Sequence, residues 1–281
     1  MGKNVGIISR GYRRTSKDIV LVSDGKNINI SPEEAGDEVY MIAQELMKDF
    51  HNFSIVSSPN RIKASAYILR NYKCDLILLD DAFQHRNIHR DIDIVVIDLN
   101  KSNNFSDKLL LPSGNLRECP FALKRCSMII LNHKFTKTNK VGIDFNKFNK
   151  PIVNINYKTK NCYNNRGDIL NAKGKRAILF CGIAEPDSFI FAVENEGILI
   201  DKIIKFSDHY IYFKKEIDYL ENYYTNEIIF ITTEKDFVKL LIFKNFVEYF
   251  PLYYLKIDIE INDGIKLLEK ELNSIFIGSK I

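Results

Sequence analysis

Five short apolar runs in the first half of the chain, at 5–9, 54–57, 75–79, 92–98 and 127–132, constrain the fold more than any other feature. Each is rich in Val, Ile or Leu and none is longer than seven residues, which suits strands buried on both faces. Between them lie stretches with a different period. Residues 38–50 carry Ile42, Leu46 and Phe50 at helical spacing, and residues 61–72 carry Ile62, Ala66 and Leu69. Strands that alternate with amphipathic helices predict an α/β architecture with parallel strands and right-handed crossovers.

The pattern lapses and then restarts. Residues 134–168 are rich in Asn and Lys, with one strand at 151–157, and read as a connection. Strands follow at 177–181, 197–204, 227–232 and 253–257, with helices at 186–195 and 264–274. The expected organisation is an N-terminal α/β domain over 1–150, a linker over 151–175 and a C-terminal α/β domain over 176–281. At 46% hydrophobic and 27% charged, the 281 residues exclude a disordered chain, a collagen and a disulfide scaffold. Forty basic residues against 36 acidic ones leave a net charge of +4. That is no nucleic-acid signature, but it is compatible with an anionic partner such as a phospholipid or a nucleotide. The five cysteines form no CxxC pair and read as reduced thiols of the cytoplasm. No run approaches the ~18 apolar residues of a membrane span, and the first residues do not read as a signal peptide.

Several strings carry chemistry. In Asp75-Leu-Ile-Leu-Leu-Asp80-Asp81, an apolar strand delivers two carboxylates at its C-terminal end, followed by Ala82-Phe83-Gln84-His85-Arg86. Ligands of open α/β sheets bind at that end, and an Asp there can hold Mg²⁺. The plainer alternative is an Asp that starts a turn. Ser31-Pro-Glu-Glu-Ala-Gly36-Asp37-Glu38 puts acids at a helix start, where they serve as caps or as a general base. Asp208-His209 is either an orienting pair or a surface turn. Thr232-Thr233-Glu234-Lys235-Asp236 reads first as a helix cap and second as a functional site. Ser9-Arg10-Gly11-Tyr12-Arg13-Arg14 is a glycine turn among arginines, suited to phosphate or simply solvated. Leu111-Pro-Ser-Gly-Asn-Leu-Arg117-Glu118 is a loop with one well-placed arginine.

In order, these strings resemble the tetraacyldisaccharide 4'-kinase family, the lipid A 4'-kinases, from Val5 to about Lys239. Asp-Asp-x-Phe-Gln-His with Leu-Pro-x-Gly-x-Leu-Arg-Glu downstream is the most specific part; Phe180-Cys-Gly-Ile-Ala-x-Pro186 and Thr233-Glu-Lys-Asp-x-Val-Lys239 add to it. The resemblance implies a P-loop kinase fold of two α/β/α domains joined by a small β-linker. It implies transfer of the ATP γ-phosphate, with Mg²⁺, to the 4'-hydroxyl of an acylated glucosamine disaccharide 1-phosphate. The setting it implies is peripheral contact with the cytoplasmic face of the inner membrane in a Gram-negative-type bacterium; without an anchor, these residues would be cytoplasmic. By the same resemblance, Asp37 is the catalytic base, His209 couples to it, and Arg117 stabilises charge. Asp80 and Asp81 are the acids near Mg²⁺, with Glu38 in the metal network. Tyr12, Arg61, Gln84 and His85 line the substrate site.

One family element has no counterpart. The 281 residues contain no G-x-x-x-x-G-K-[ST]; Gly174-Lys175-Arg176 has Arg in place of the hydroxyl and no Gly five residues earlier. Gly2-Lys3-Asn4 matches the turn after the family's loop and helix. Two explanations stand at this point. Either a unit of roughly 50 residues was lost through a late-called start or a truncated gene, or the chain has shed nucleotide binding. The retained acids and histidine favour the first. The 281 residues alone are expected to be inactive, to bind ATP weakly and to leave an exposed strand edge. The competing readings are a catalytically dead kinase-like module that binds anionic lipid or nucleotide, and another P-loop NTPase such as a partitioning ATPase.

Overall fold

A computed structural model describes residues 2–12, 14–99, 109–114, 116–135 and 142–277. Along the chain the elements are β1 (Val5–Ser9), β2 (Val20–Ser23), α1 (Pro32–Ala35), α2 (Asp37–Asp49), β3 (Phe53–Ser57), α3 (Arg61–Asn71) and β4 (Leu76–Leu79). Then come β5 (Ile94–Asp98), β6 (Met128–Asn132), β7 (Ile152–Tyr163), β8 (Arg176–Cys181), α4 (Pro186–Asn195), β9 (Leu199–Lys205) and α5 (Lys214–Glu221). The chain continues through β10 (Ile228–Thr233), α6 (Glu234–Leu240), α7 (Lys244–Tyr249), β11 (Leu252–Asp263) and α8 (Ile265–Ile277). Every strand and helix read from the periodicity is present, within a few residues for most. The 151–157 and 253–257 strands are much longer than their apolar runs, as β7 and β11. The short β2, α5 and α7 are additions that local pattern did not mark, and α6 follows the cap read at Thr232–Asp236.

The chain forms two compact units that do not follow the boundaries expected near 150 and 176. One unit comprises Met1–Ala82 and Asn161–Lys256, the other Phe83–Lys160 and Ile257–Ile281. Compactness joins segments distant in sequence, and the expected linker is partly strand β7.

The first unit contains two sets of strands. In one, the order is β2-β3-β1-β4, with β1 parallel to both β3 and β4 and β2 antiparallel to β3. The other runs β11-β10-β8-β9, all parallel. Helix α2 lays Val39 and Ala43 on a core with Ile55, Val22 and Phe53. Ile8, Val56, Ala64 and Ile68 form a second core under α3. Phe180, Phe230, Phe246, Ile217 and Leu220 fill the third, around β8 and β10. Helix α2 also packs against α6. Because the strands are parallel, their C-terminal ends collect at one edge of each sheet. Ser9 and Asp80 meet at one such edge; Gly182, the 206–209 turn and Thr233–Asp236 follow the strands at the other.

In the second unit β5, β6 and β7 are parallel neighbours. Leu99, Leu123, Cys126, Ile129, Phe145 and Phe148 pack on one cluster, and Leu268 of α8 covers Met128, Val153 and Ile155 in another. All five cysteines are free thiols, in keeping with their scatter.

Candidate active site

Two glycines bring the first pieces together. Gly11, at φ +64, follows β1, and Gly36, at φ +91, caps α2. A Cβ on Gly36 would stand 2.9 Å from the Gly11 Cα, and one on Gly11 would stand 2.7 Å from the Ala35 carbonyl oxygen. Only hydrogen fits in either place, and both backbones are in the left-handed half of the map. The turn bearing Tyr12 therefore lies directly against the start of α2, and Asp37 is that helix's first residue, where the helix dipole favours a carboxylate.

Asp37 receives its neighbours from the turn after β9 and from helix α6. His209 Nδ1 lies 3.8 Å from Asp37 Oδ2, and Lys239 Nζ lies 3.6 Å from the same oxygen. The Tyr12 ring stands 4.8 Å from the imidazole, tilted by 55°. Lys235 Nζ donates to Glu38 Oε1 at 2.8 Å and lies 3.2 Å from His209 Nε2. Asp236 underlies the group, fully buried. It accepts from the Gly182 N–H at 2.8 Å, the Thr233 hydroxyl at 2.9 Å and Lys239 Nζ at 2.9 Å. Its three donors satisfy a carboxylate that would otherwise be costly to bury. Burial beside Asp236 also pushes the neighbouring Cys181 thiol up to about 12, so this cysteine is no nucleophile at neutral pH.

The Asp80–Asp81 turn is built in the same unit. Ser9 Oγ donates to Asp80 Oδ2 at 2.7 Å, and the Asp80 N–H bonds the Ile8 carbonyl at 2.9 Å. Asp81 holds φ +47, uncommon for a residue other than glycine. Arg61 is only 3% exposed. Its guanidinium donates to the Asp80 carbonyl at 2.8 Å and the Ser58 carbonyl at 3.2 Å. Burial lowers its pKa from the ordinary value, against the raising influence of Asp80 and Asp81. The Arg61 fork is thus bonded to the chain at the carboxylate turn.

The expected metal set is not assembled as three ligands. Among the described residues no group of three or more His, Cys, Asp or Glu side chains is placed to hold a metal, and Glu38 is paired with Lys235. Asp80 and Asp81 are both exposed. Two oxygen-bearing carboxylates suit Mg²⁺, which takes one or two from a protein and fills its shell with phosphate oxygens and water.

Gln84, His85 and Arg117 belong to the second unit, all exposed. Arg117 precedes Glu118, which accepts from Arg125 at 2.5 and 2.7 Å and from Arg86 at 3.2 Å, fixing the loop at its base.

Comparison with known proteins decides the family. The family model "LpxK: Tetraacyldisaccharide-1-P 4'-kinase" matches residues 1–275. The chain belongs to this family. The tetraacyldisaccharide 4'-kinase of Chlorobium chlorochromatii is 33% identical over 98% of this chain and 76% of its own length. That of Aquifex aeolicus is 33% identical over 86% of this chain and 72% of its own. A crystal structure of LpxK from Aquifex aeolicus in complex with ATP superposes with a TM-score of 0.75 at 29% identity, covering 98% of this chain and 79% of that one. The 4'-kinase family is one of ATP-dependent transferases of lipid A biosynthesis, and its α/β fold is the one seen here.

Lys235, Lys239, Asp236 and Ser9 had no assigned role in the sequence reading. The signal was present: Thr233-Glu-Lys-Asp-x-Val-Lys239 is a family string, but alone it reads as a helix cap. Three of its charged residues reach Asp37, Glu38 or His209, or underlie them.

Proposed function

We propose that Asp37 is the base of 4'-phosphoryl transfer, taking the hydroxyl proton of the tetraacyldisaccharide 1-phosphate as that oxygen attacks the γ-phosphorus of ATP. The convergence of His209 and Lys239 on one Asp37 oxygen carries this reading. It leaves the carboxylate oriented, with its second oxygen available to a substrate hydroxyl. Distances of 3.6 and 3.8 Å are long for hydrogen bonds, as catalytic contacts often are before substrate arrives. Asp80 and Asp81 would hold Mg²⁺, which neutralises charge on the phosphates when bound. Tyr12, beside His209, would face the sugar.

We also infer peripheral contact with the inner membrane. Leu110, Leu111 and Phe121 are exposed in the second unit, and Lys124 Nζ lies 3.9 Å over the Phe121 ring. Apolar and basic side chains side by side suit an acylated, anionic surface.

The test is transfer of labelled γ-phosphate from ATP to tetraacyldisaccharide 1-phosphate by the protein in a form that carries the family's phosphate-binding loop. Asp37→Ala should lower kcat at least 100-fold with a smaller change in KM, the usual order for a lost general base (about 10²–10⁴). An unchanged kcat removes Asp37 from the chemistry. Tight substrate binding with no transfer by the unsubstituted loop-bearing protein would favour a binding module over an enzyme.

A further inference from the structure

The groups packed around His209 determine which ring nitrogen carries the hydrogen. Its backbone sits at φ +55 with its N–H bonded to the Gly182 carbonyl at 3.0 Å. Groups from three other elements and its own turn face the ring. Asp37 Oδ2 comes from α2, at 3.8 Å from Nδ1. Lys235 Nζ comes from α6, at 3.2 Å from Nε2. Asp208 Oδ2 comes from the same turn, at 3.8 Å from Nε2. The Tyr12 ring comes from the turn after β1. Glu38 lies behind Lys235, and Lys239 lies beyond, on the Asp37 carboxylate.

A lysine ammonium has three donors and no acceptor. At 3.2 Å it can meet Nε2 only if that nitrogen presents its lone pair. A hydrogen on Nε2 would point at ammonium hydrogens, and a doubly protonated ring would set two cations in contact. Asp208 pulls the other way, but it is farther off and its side chain is 43% exposed, against 16% for Lys235. The closer, drier group prevails, because water screens the other. A neutral ring with a bare Nε2 carries its hydrogen on Nδ1, the nitrogen that faces Asp37.

We infer that Lys235, tethered by Glu38, is a positioning residue that sets His209 in the Nδ1–H tautomer, so that the imidazole meets Asp37 as a donor. This deepens the proposed role of Asp37 and rests on it only for its catalytic consequence. That consequence is specific: His209 directs Asp37 Oδ2 and does not receive a proton from it, so the other oxygen, Oδ1, takes the substrate's proton. Free histidine side chains favour the Nε2–H form, so the lysine reverses a default.

The experiment is long-range ¹H–¹⁵N correlation of the ring nitrogens on the 281-residue protein at about pH 8, above the ordinary histidine range of about 6.5. The chain has 5 histidines, so the spectrum is small, and His209→Asn assigns the signal by its loss. The expected pattern for His209 is a protonated Nδ1 and a bare Nε2. In Lys235→Met the pattern should move to Nε2–H or to an average of the two, and Lys235→Arg, which keeps donors and offers no acceptor, should restore it. The other four signals report whether each variant is folded. If Lys235→Met does not fold, Glu38→Gln carries the test, with a partial movement in the same direction expected. A protonated Nε2 in the unmodified protein, or a ratio unmoved by the variant that folds, overturns the inference. The spectra need no turnover, so they separate this claim from the base assignment, which the Asp37→Ala kinetics decide.

Discussion

Arg61 shows how far a single side chain's surroundings alter its meaning. By resemblance alone, Arg61 belongs to the substrate site. Here the fork is buried and spans two backbone carbonyls, one of them on Asp80. It therefore fixes a turn whose Asp81 is in a sparsely populated conformation. Arg61→Lys keeps the charge but cannot bridge both carbonyls, and it leaves one buried acceptor without its donor. The expected loss is about 1.5–3 kcal/mol of stability, the worth of the one charged hydrogen bond removed. Urea unfolding should show it as a lower midpoint at an unchanged slope. A substrate contact would behave in the opposite way, with stability intact and affinity for the disaccharide 1-phosphate reduced.

At the scale of elements, the turn that carries His209 depends on the start of α5. Glu216 is 8% exposed, accepts the Phe213 N–H at 2.9 Å, and takes the Tyr210 hydroxyl at 2.9 Å. The 210–213 segment is thereby pinned directly after His209. Burial tends to raise the Glu216 pKa, but the Phe213 N–H, the Tyr210 hydroxyl and Lys215 outweigh it and hold it below the usual range. A depressed carboxyl adds stability above its unfolded value, and that contribution is lost as pH falls through the folded value. Glu216→Ala should cost about 1 kcal/mol, typical of a lost helix cap, and should speed amide exchange over 207–213. It should also flatten the fall in melting temperature between about pH 5 and pH 3, where glutamates near 4.3 titrate. Equal exchange in the two proteins would show that α5 does not hold the turn.

For the whole molecule, the charge is the accessible quantity. No described helix is long and apolar enough to cross a membrane, and the net charge is +4. Contact with an anionic bilayer would then combine electrostatic attraction with the exposed Leu111 and Phe121. Co-sedimentation with phosphatidylglycerol vesicles should be clear at 0.1 M salt and fall sharply by 1 M, as the screening length drops from about 10 Å to about 3 Å. A Leu111→Ser, Phe121→Ser double variant should reduce binding at low salt without changing the melting temperature. Vesicle binding that ignores both salt and these side chains would remove the proposed contact.

Much was legible from local pattern because local physics sets it. Apolar runs of four to seven residues between amphipathic stretches can bury themselves only as an α/β sheet, and β1, α3 and α4 start where periodicity and capping put them. The order of the motifs was enough to place the family, and the structure sets His209 Nδ1 3.8 Å from Asp37 Oδ2. The partners of those residues were hidden. Lys235 and Glu38 are 197 positions apart, and they touch because α6 packs on α2. The burial of Arg61, the clasp around Asp236 and the division into units that each join separate segments are likewise products of packing. A charged residue's neighbours across such separations depend on strand order and helix packing, and no window of sequence contains that information.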